Sequence, residues 1–196
     1  MHLDIPSGNF AGYIFDLDGT LVDTMPLHYR AWCEAFREYG HGSDIDERLF
    51  YSLGGMPAIQ VAALFNRQLG ANYDPVGLRE LKERKFGQWL PDAPLISAVV
   101  DFARKVARTH PVSVASGGPR SVVTQTLAMR DLTSLFPVVV TADDVEHGKP
   151  APDSFLLAAE RMGVPPGQCL VFEDAELGIK AAEAAGMRWV RVACTL

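Results

Sequence analysis

Two aspartates two residues apart, Asp16 and Asp18, close an apolar run near the start of the chain, and Glu173-Asp174 closes another near its end. Side chains at i and i+2 leaving a strand project to the same side, so Asp16 and Asp18 bring two negative charges together. A cation relieves that repulsion, and a hard divalent ion, most simply Mg2+, suits oxygen ligands; it borrows one or two carboxylates and keeps waters or phosphate oxygens on the rest of its shell. His and Cys are absent from these positions, which argues against zinc. Ser116-Gly117-Gly118 can offer a hydroxyl and backbone N–H groups to a phosphate, because glycine lets the chain approach closely and a helix start carries partial positive charge. Lys149, between Gly148 and Pro150-Ala151-Pro152, is held where an anion would sit. Each feature alone has an ordinary explanation: a turn, a glycine before a helix, a surface lysine. Together they describe metal-assisted chemistry on a phosphate.

These residues converge only if the right elements carry them. Ala11-Gly12-Tyr13-Ile14-Phe15 reads as a buried strand that delivers Asp16 and Asp18 at its carboxyl end. From Pro26 to about Trp89 the apolar spacing turns helical, broken at Gly40-His41-Gly42, Gly54-Gly55 and Gly70-Ala71-Asn72, with no convincing strand. After Pro91 helix and strand alternate: helices near Leu95–Thr109, Arg120–Met129, Ser154–Met162 and Leu177–Ala185, strands at Val112–Ala115, Val138–Val140, Cys169–Phe172 and Trp189–Val192. Alternation with all-apolar strands predicts a doubly wound α/β fold, a parallel sheet covered on both faces. The predicted division is a core of residues 1–23 and 91–196, with a helical domain of residues 24–90 inserted after the first strand. Open sheets of this kind bind ligands at the carboxyl ends of their strands, where all four segments meet.

The remaining composition excludes other classes. The 196 residues, 48% hydrophobic, suffice for a packed core, and no apolar run is long enough to span a membrane. A net charge of −6 argues against nucleic-acid binding, which runs on phosphate neutralisation by a basic face. Cys33, Cys169 and Cys194 are odd in number and widely spaced, matching reduced thiols of a cytoplasmic protein better than a disulfide framework. The N-terminus lacks the basic start and apolar stretch of a secretory signal.

Phe15-Asp16-Leu17-Asp18-Gly19-Thr20, Ser116, Lys149-Pro150-Ala151-Pro152-Asp153 and Val171-Phe172-Glu173-Asp174-Ala175 with Gly178-Ile179 resemble, in order and spacing, the four motifs of the haloacid dehalogenase superfamily. The helical block resembles the cap of the subgroup that contains β-phosphoglucomutase and small sugar-phosphate phosphatases. This resemblance implies an aspartyl-phosphate mechanism in which Asp16 is the nucleophile and Asp18 the acid and base. It implies that Ser116 and Lys149 bind phosphoryl oxygens, with Thr20, Gly117 and Gly118 beside them. It also implies Mg2+ on Asp16, the backbone carbonyl of Asp18, and Asp174, with Glu173 a ligand or an outer partner. A fructose-1-phosphate or 6-phosphogluconate type of substrate is expected, with β-phosphoglucomutase activity the alternative. A monomer or weak homodimer is the expected assembly, with neither nucleic acid nor membrane as a partner.

Substrate choice falls to the inserted helices. His28 has two readings, a residue half-buried against the insert's own core or one facing substrate, and Lys85 likewise is either solvated or substrate-facing. Ala58 follows Gly54-Gly55 where mutase-type caps carry an arginine for a second phosphate, a departure that favours a phosphatase.

Overall fold

A computed structural model describes residues 3–193; Cys194 lies outside them. Strand β1 (Gly12–Phe15) is followed by four helices, α1 (Met25–Glu38), α2 (Glu47–Ser52), α3 (Ala58–Leu69) and α4 (Pro75–Trp89). The chain then alternates: α5 (Ser97–Val106), β2 (Val112–Ala115), α6 (Arg120–Met129), β3 (Val138–Val140), α7 (Asp153–Met162), β4 (Cys169–Glu173), α8 (Glu176–Ala184) and β5 (Arg188–Arg191). The predicted strands and helices of this second half appear within two or three residues of their expected ends.

All five strands pair in parallel, in the order β3-β2-β1-β4-β5. β1 is central because Tyr13, Ile14 and Phe15 register against both β2 and β4, with Gly12 paired to β4 as well. The chain winds outward through β2 and β3 and then returns to pair β4 with the other side of β1. That reversal opens a crevice at the carboxyl ends of β1 and β4, the place where such sheets bind ligands. Two apolar layers sandwich the sheet. Phe15, Phe172, Val114 and Leu170 pack on one face, while Ile14, Val171, Phe155 and Ala182 pack on the other. Alternate residues of β1 and β4 feed opposite faces, as the period of two requires.

The four-helix insert has a core of its own, built on Trp32, Phe36, Phe50, Phe65 and Leu78. α4 is started by Asp74, whose carboxylate accepts from the N–H groups of Val76 and Gly77, with Pro75 at the first helical position. Exit from the sheet and return to it are tied together. Val22 bridges Leu95, the Asp23 N–H donates to the Pro94 carbonyl at 2.9 Å, and the Ile96 N–H donates to the Leu21 carbonyl at 2.9 Å. Cys33 and Cys169 are buried free thiols, as the spacing suggested. Among the described residues no helix is long and apolar enough to cross a membrane.

Candidate active site

The loop after β1 is wound tightly on itself. The N–H groups of Leu21 and Val22 both donate to the Leu17 carbonyl at 3.0 Å, and the Gly19 N–H donates to the Val22 carbonyl at 2.8 Å. Gly19 has φ +83°, and a Cβ there would strike the Asp174 carboxylate, so only glycine lets this loop lie against the end of β4. The backbone N–H of Asp16 is still part of the sheet, donating to the Phe172 carbonyl at 3.0 Å. Its side chain is therefore set by the strand and not by the loop.

Lys149 is the charge at the centre of the site. Its Nζ donates to Asp16 Oδ1 at 2.6 Å and to Glu173 Oε2 at 2.7 Å, and all three side chains are under 10% exposed. Glu173 also accepts the Ala175 N–H through Oε1 at 3.2 Å, so both its oxygens are engaged. Burial alone would lower the Lys149 pKa, but the carboxylates of Asp16 and Glu173 outweigh it and hold the ammonium charged. Burial, followed by the charge of Glu173, pushes the Asp16 carboxyl well above the usual range against the pull of Lys149.

Asp18 sits in a different environment. Its Oδ1 accepts from Thr24 Oγ1 at 2.6 Å and lies 3.2 Å from His28 Nε2, so the first residues of the insert hold it. Burial would raise its pKa, yet the hydrogen bond and charge of His28, with the Thr24 hydroxyl, bring it down to about 2. Two neighbouring aspartates are thus driven in opposite directions, a pattern that assigns separate tasks to chemically identical groups.

Asp16, Glu173 and Asp174 each present an oxygen within 4.8 Å of the others. The set fits a hard divalent ion: all donors are carboxylate oxygens, and a single lysine stands against the charges of Asp16, Glu173 and Asp174. Thr20 was expected beside the phosphate. Instead it is fully buried and its hydroxyl donates to Asp174 Oδ1 at 3.1 Å, so it orients that carboxylate. The Ser116 N–H is tied to the Val140 carbonyl, and its Oγ accepts the Gly118 N–H at 3.0 Å, which leaves the hydroxyl proton for another acceptor. Asp16, Asp18, Gly117, Gly118, Glu173 and Asp174 all line one pocket beneath the insert.

The insert closes this pocket by backbone. A Cβ on Gly54 would come within 2.8 Å of the Ala175 Cβ, one on Gly55 within 3.3 Å of the Lys149 side chain, and one on Gly117 within 3.0 Å of the Gly55 carbonyl oxygen. His28 lines the pocket and also stacks on Phe86, with ring centroids 4.0 Å apart, so it is packed against α4 as well as turned to the pocket. Lys85 does not reach it: its ammonium pairs with Glu38 at 2.8 Å and Glu34 at 3.7 Å on α1. The lysine that does is Lys82, one helical turn earlier, 4% exposed, with its ammonium 5.2 Å from the Phe86 ring and 2.9 Å from Glu83. Leu78, Lys82 and Phe86 form an i, i+4 series along the buried face of α4, a signal in the sequence that points to Lys82. Thr24, just before α1, makes no side-chain cap bond and turns its hydroxyl to Asp18 instead.

Comparison with known proteins agrees with this geometry. Residues 13–192 match the family model described as haloacid dehalogenase-like hydrolase. The chain is 42% identical to fructose-1-phosphate phosphatase YqaB of Escherichia coli over 93% of this chain and 96% of that protein. It is 32% identical to the phosphorylated carbohydrates phosphatase of Thermotoga maritima over 89% of this chain and 81% of the relative. The fold matches the crystal structure of β-phosphoglucomutase from Clostridium difficile with TM-score 0.81 at 24% identity, covering 92% of this chain and 83% of the other.

Proposed function

This chain belongs to the haloacid dehalogenase-like hydrolases and is a phosphatase, and we propose that it hydrolyses a small sugar phosphate with Mg2+ through an aspartyl-phosphate. The observation that carries the mechanism is the opposed setting of Asp16, buried against Lys149, and Asp18, held by Thr24 and His28.

Asp16 is the nucleophile. One of its carboxylate oxygens forms a bond to phosphorus as the bond from phosphorus to the sugar oxygen breaks, which replaces one hard displacement by two easier ones. Asp18 gives a proton to the departing sugar oxygen. It stands as a carboxylate in the free protein, held by Thr24 and His28, so it must take up that proton before the transfer. In the second half Asp18 takes a proton from the water that attacks phosphorus, and Asp16 is released with inorganic phosphate. Lys149 and the Ser116 hydroxyl hold phosphoryl oxygens, where charge must be stabilised by positioned donors. Asp16, Asp174 and the Asp18 carbonyl would hold Mg2+, and Thr20 fixes Asp174 through its hydroxyl. When bound, the ion supplies the positive charge that lets a carboxylate approach an anionic phosphate. Glu173, with both oxygens engaged by Lys149 and the Ala175 N–H, acts as an outer partner that aims Lys149. The helices of residues 24–90 form a cap that excludes water from the transfer step.

A mutase must grip a second phosphate in its bisphosphate intermediate. Here Ala58 lines the pocket, and Lys82 is already paired with Glu83. These two features favour the phosphatase. The test measures phosphate release from fructose-1-phosphate, 6-phosphogluconate and β-glucose-1-phosphate, the last with a trace of glucose-1,6-bisphosphate. Mg2+-dependent release that disappears in Asp16→Asn, with the variant still folded by circular dichroism, is the expected result. Accumulation of glucose-6-phosphate without phosphate release would overturn it.

A further inference from the structure

The phosphate end of the pocket is accounted for by Asp16, Lys149 and Ser116, but the opposite end carries a polar group that the proposed chemistry does not use. Glu83, on α4, lines the same pocket. Its Oε1 is 2.9 Å from Lys82 Nζ, while its Oε2 is buried and has no hydrogen-bond partner. A buried carboxylate oxygen without a donor is costly, and such an atom at the wall of a binding pocket is satisfied when a ligand supplies the donor. Around it the insert contributes Met25, Trp32, Phe50, Met56 and Val61, which have no side-chain hydrogen-bond acceptor of comparable strength.

Lys82 and Glu83 stand side by side in the lining of the pocket that Asp16 and Asp18 also line, so a carbon skeleton extending away from a phosphorus at Asp16 and a leaving oxygen at Asp18 has them as its polar partners on the insert. We infer that Glu83 is a specificity-determining residue that accepts a hydrogen bond from a substrate hydroxyl through Oε2, so the preferred substrate is a phosphomonoester whose far end is a neutral polyol. A substrate ending in a carboxylate or a second phosphate brings no donor to Oε2 and must compete with Glu83 for Lys82, so the same residue rejects it. The inference rests on the phosphatase reading and narrows it to neutral sugar or alditol phosphates over sugar-acid phosphates and bisphosphates.

The test compares wild type with Glu83→Gln and Glu83→Ala, each checked for folding by circular dichroism. Rates are measured on fructose-1-phosphate, which ends in hydroxyls, on 6-phosphogluconate, which ends in a carboxylate, and on p-nitrophenyl phosphate, which has neither. Wild type should prefer fructose-1-phosphate. Glu83→Gln keeps the shape but loses the charge that strengthens the hydrogen bond and repels a carboxylate, and the ratio of kcat/KM values for the two sugars should fall by about tenfold, mainly through KM of fructose-1-phosphate. Glu83→Ala should lower the ratio further. Equal changes on both sugars, leaving the ratio within twofold of wild type, would mean that Glu83 only supports the helix and would overturn the inference. Failure of wild type to release phosphate even from p-nitrophenyl phosphate would instead remove the phosphatase reading beneath it.

Discussion

The sheet edge and the helical insert face each other across one pocket and are built on opposite principles. At the edge, side chains from three segments are brought together and fastened by charged hydrogen bonds: Lys149 to Asp16 and Glu173, Thr20 to Asp174. On the insert the pocket wall is mostly apolar, with the Lys82–Glu83 pair as a polar island; its first residues, Thr24 and His28, bond to Asp18 on the edge, and Gly54 and Gly55 approach it by backbone. The edge holds charges that repel one another unless every partner is in place, so its residues can hardly vary. In the proposed reading the wall beyond Thr24 and His28 faces the far end of the substrate, and its residues can change while the chemistry stays as it is. Substrate choice then rests on Lys82, Glu83 and their apolar neighbours, and reaction type on the edge together with Thr24 and His28, which hold Asp18.

Substitutions on the two sides should separate by size. Asp18→Asn on the edge should lower turnover by about 10²–10⁴-fold, the usual worth of general acid–base help. Acetyl phosphate, whose leaving group needs little protonation, should still phosphorylate Asp16 in this variant, and intact-mass spectrometry should show the adduct outlasting that of wild type. Hydrolysis of acetyl phosphate at wild-type speed would take Asp18 out of the second step. On the insert, Lys82→Met should cost about tenfold in kcat/KM, a charged hydrogen-bonding group lost from the substrate pocket. Lys85→Met, three residues along the same helix, should stay within about twofold, because its partners are the half-buried Glu34 and the exposed Glu38 on α1, away from the pocket. Equal losses in the two variants would put the wall on the wrong face of α4.

The smallest expected effect concerns the edge's scaffold. Asp144, after β3, accepts from the Thr141 N–H and hydroxyl at 2.8 and 2.7 Å and pairs with Arg161 and Arg120. Burial would raise its pKa, but these partners, Thr141 first, bring it down to about 2. A carboxyl depressed below its unfolded value of about 4 contributes stability at neutral pH, and loses it as the pH falls from about 4 through about 2. Asp144→Asn should cost about 1 kcal/mol in urea denaturation at pH 7, with the difference from wild type shrinking toward pH 2. A difference that does not change with pH would assign the loss to shape and not to charge.

The two sides were also unequally legible in the sequence. Strand ends announce themselves, because an apolar β-branched run stops at a charge; Asp16, Ser116 and Glu173 could be placed at one edge from their positions alone. The insert gave its helices and its glycine breaks, but not its working residues. Lys82 and Lys85 lie in the charged run Leu81-Lys82-Glu83-Arg84-Lys85, where a difference of about 60° around the helix decides between pocket and surface. Only the i, i+4 relation to Leu78 and Phe86 selects Lys82, and the charges around it obscure that relation. Thr20 hides its partner for a related reason. Its hydroxyl meets Asp174, 154 residues away, and nothing local to Thr20 reveals that partner.

The joint at which the insert leaves and rejoins the sheet carries a consequence for how such a chain changes over generations. Because Val22 bridges Leu95 and the neighbouring N–H groups of Asp23 and Ile96 bond across the gap, the segment between them is a closed excursion with its two ends already pinned together. The entropy of closing a loop rises only logarithmically with its length, so lengthening, shortening or replacing that excursion adds little to the cost of folding the sheet. Heredity can treat α2 to α4 as a cassette, while Thr24 and His28 at the head of α1 stay to hold Asp18. Whole helices can be exchanged there, and the catalyst beneath them takes a new appetite without having to refold.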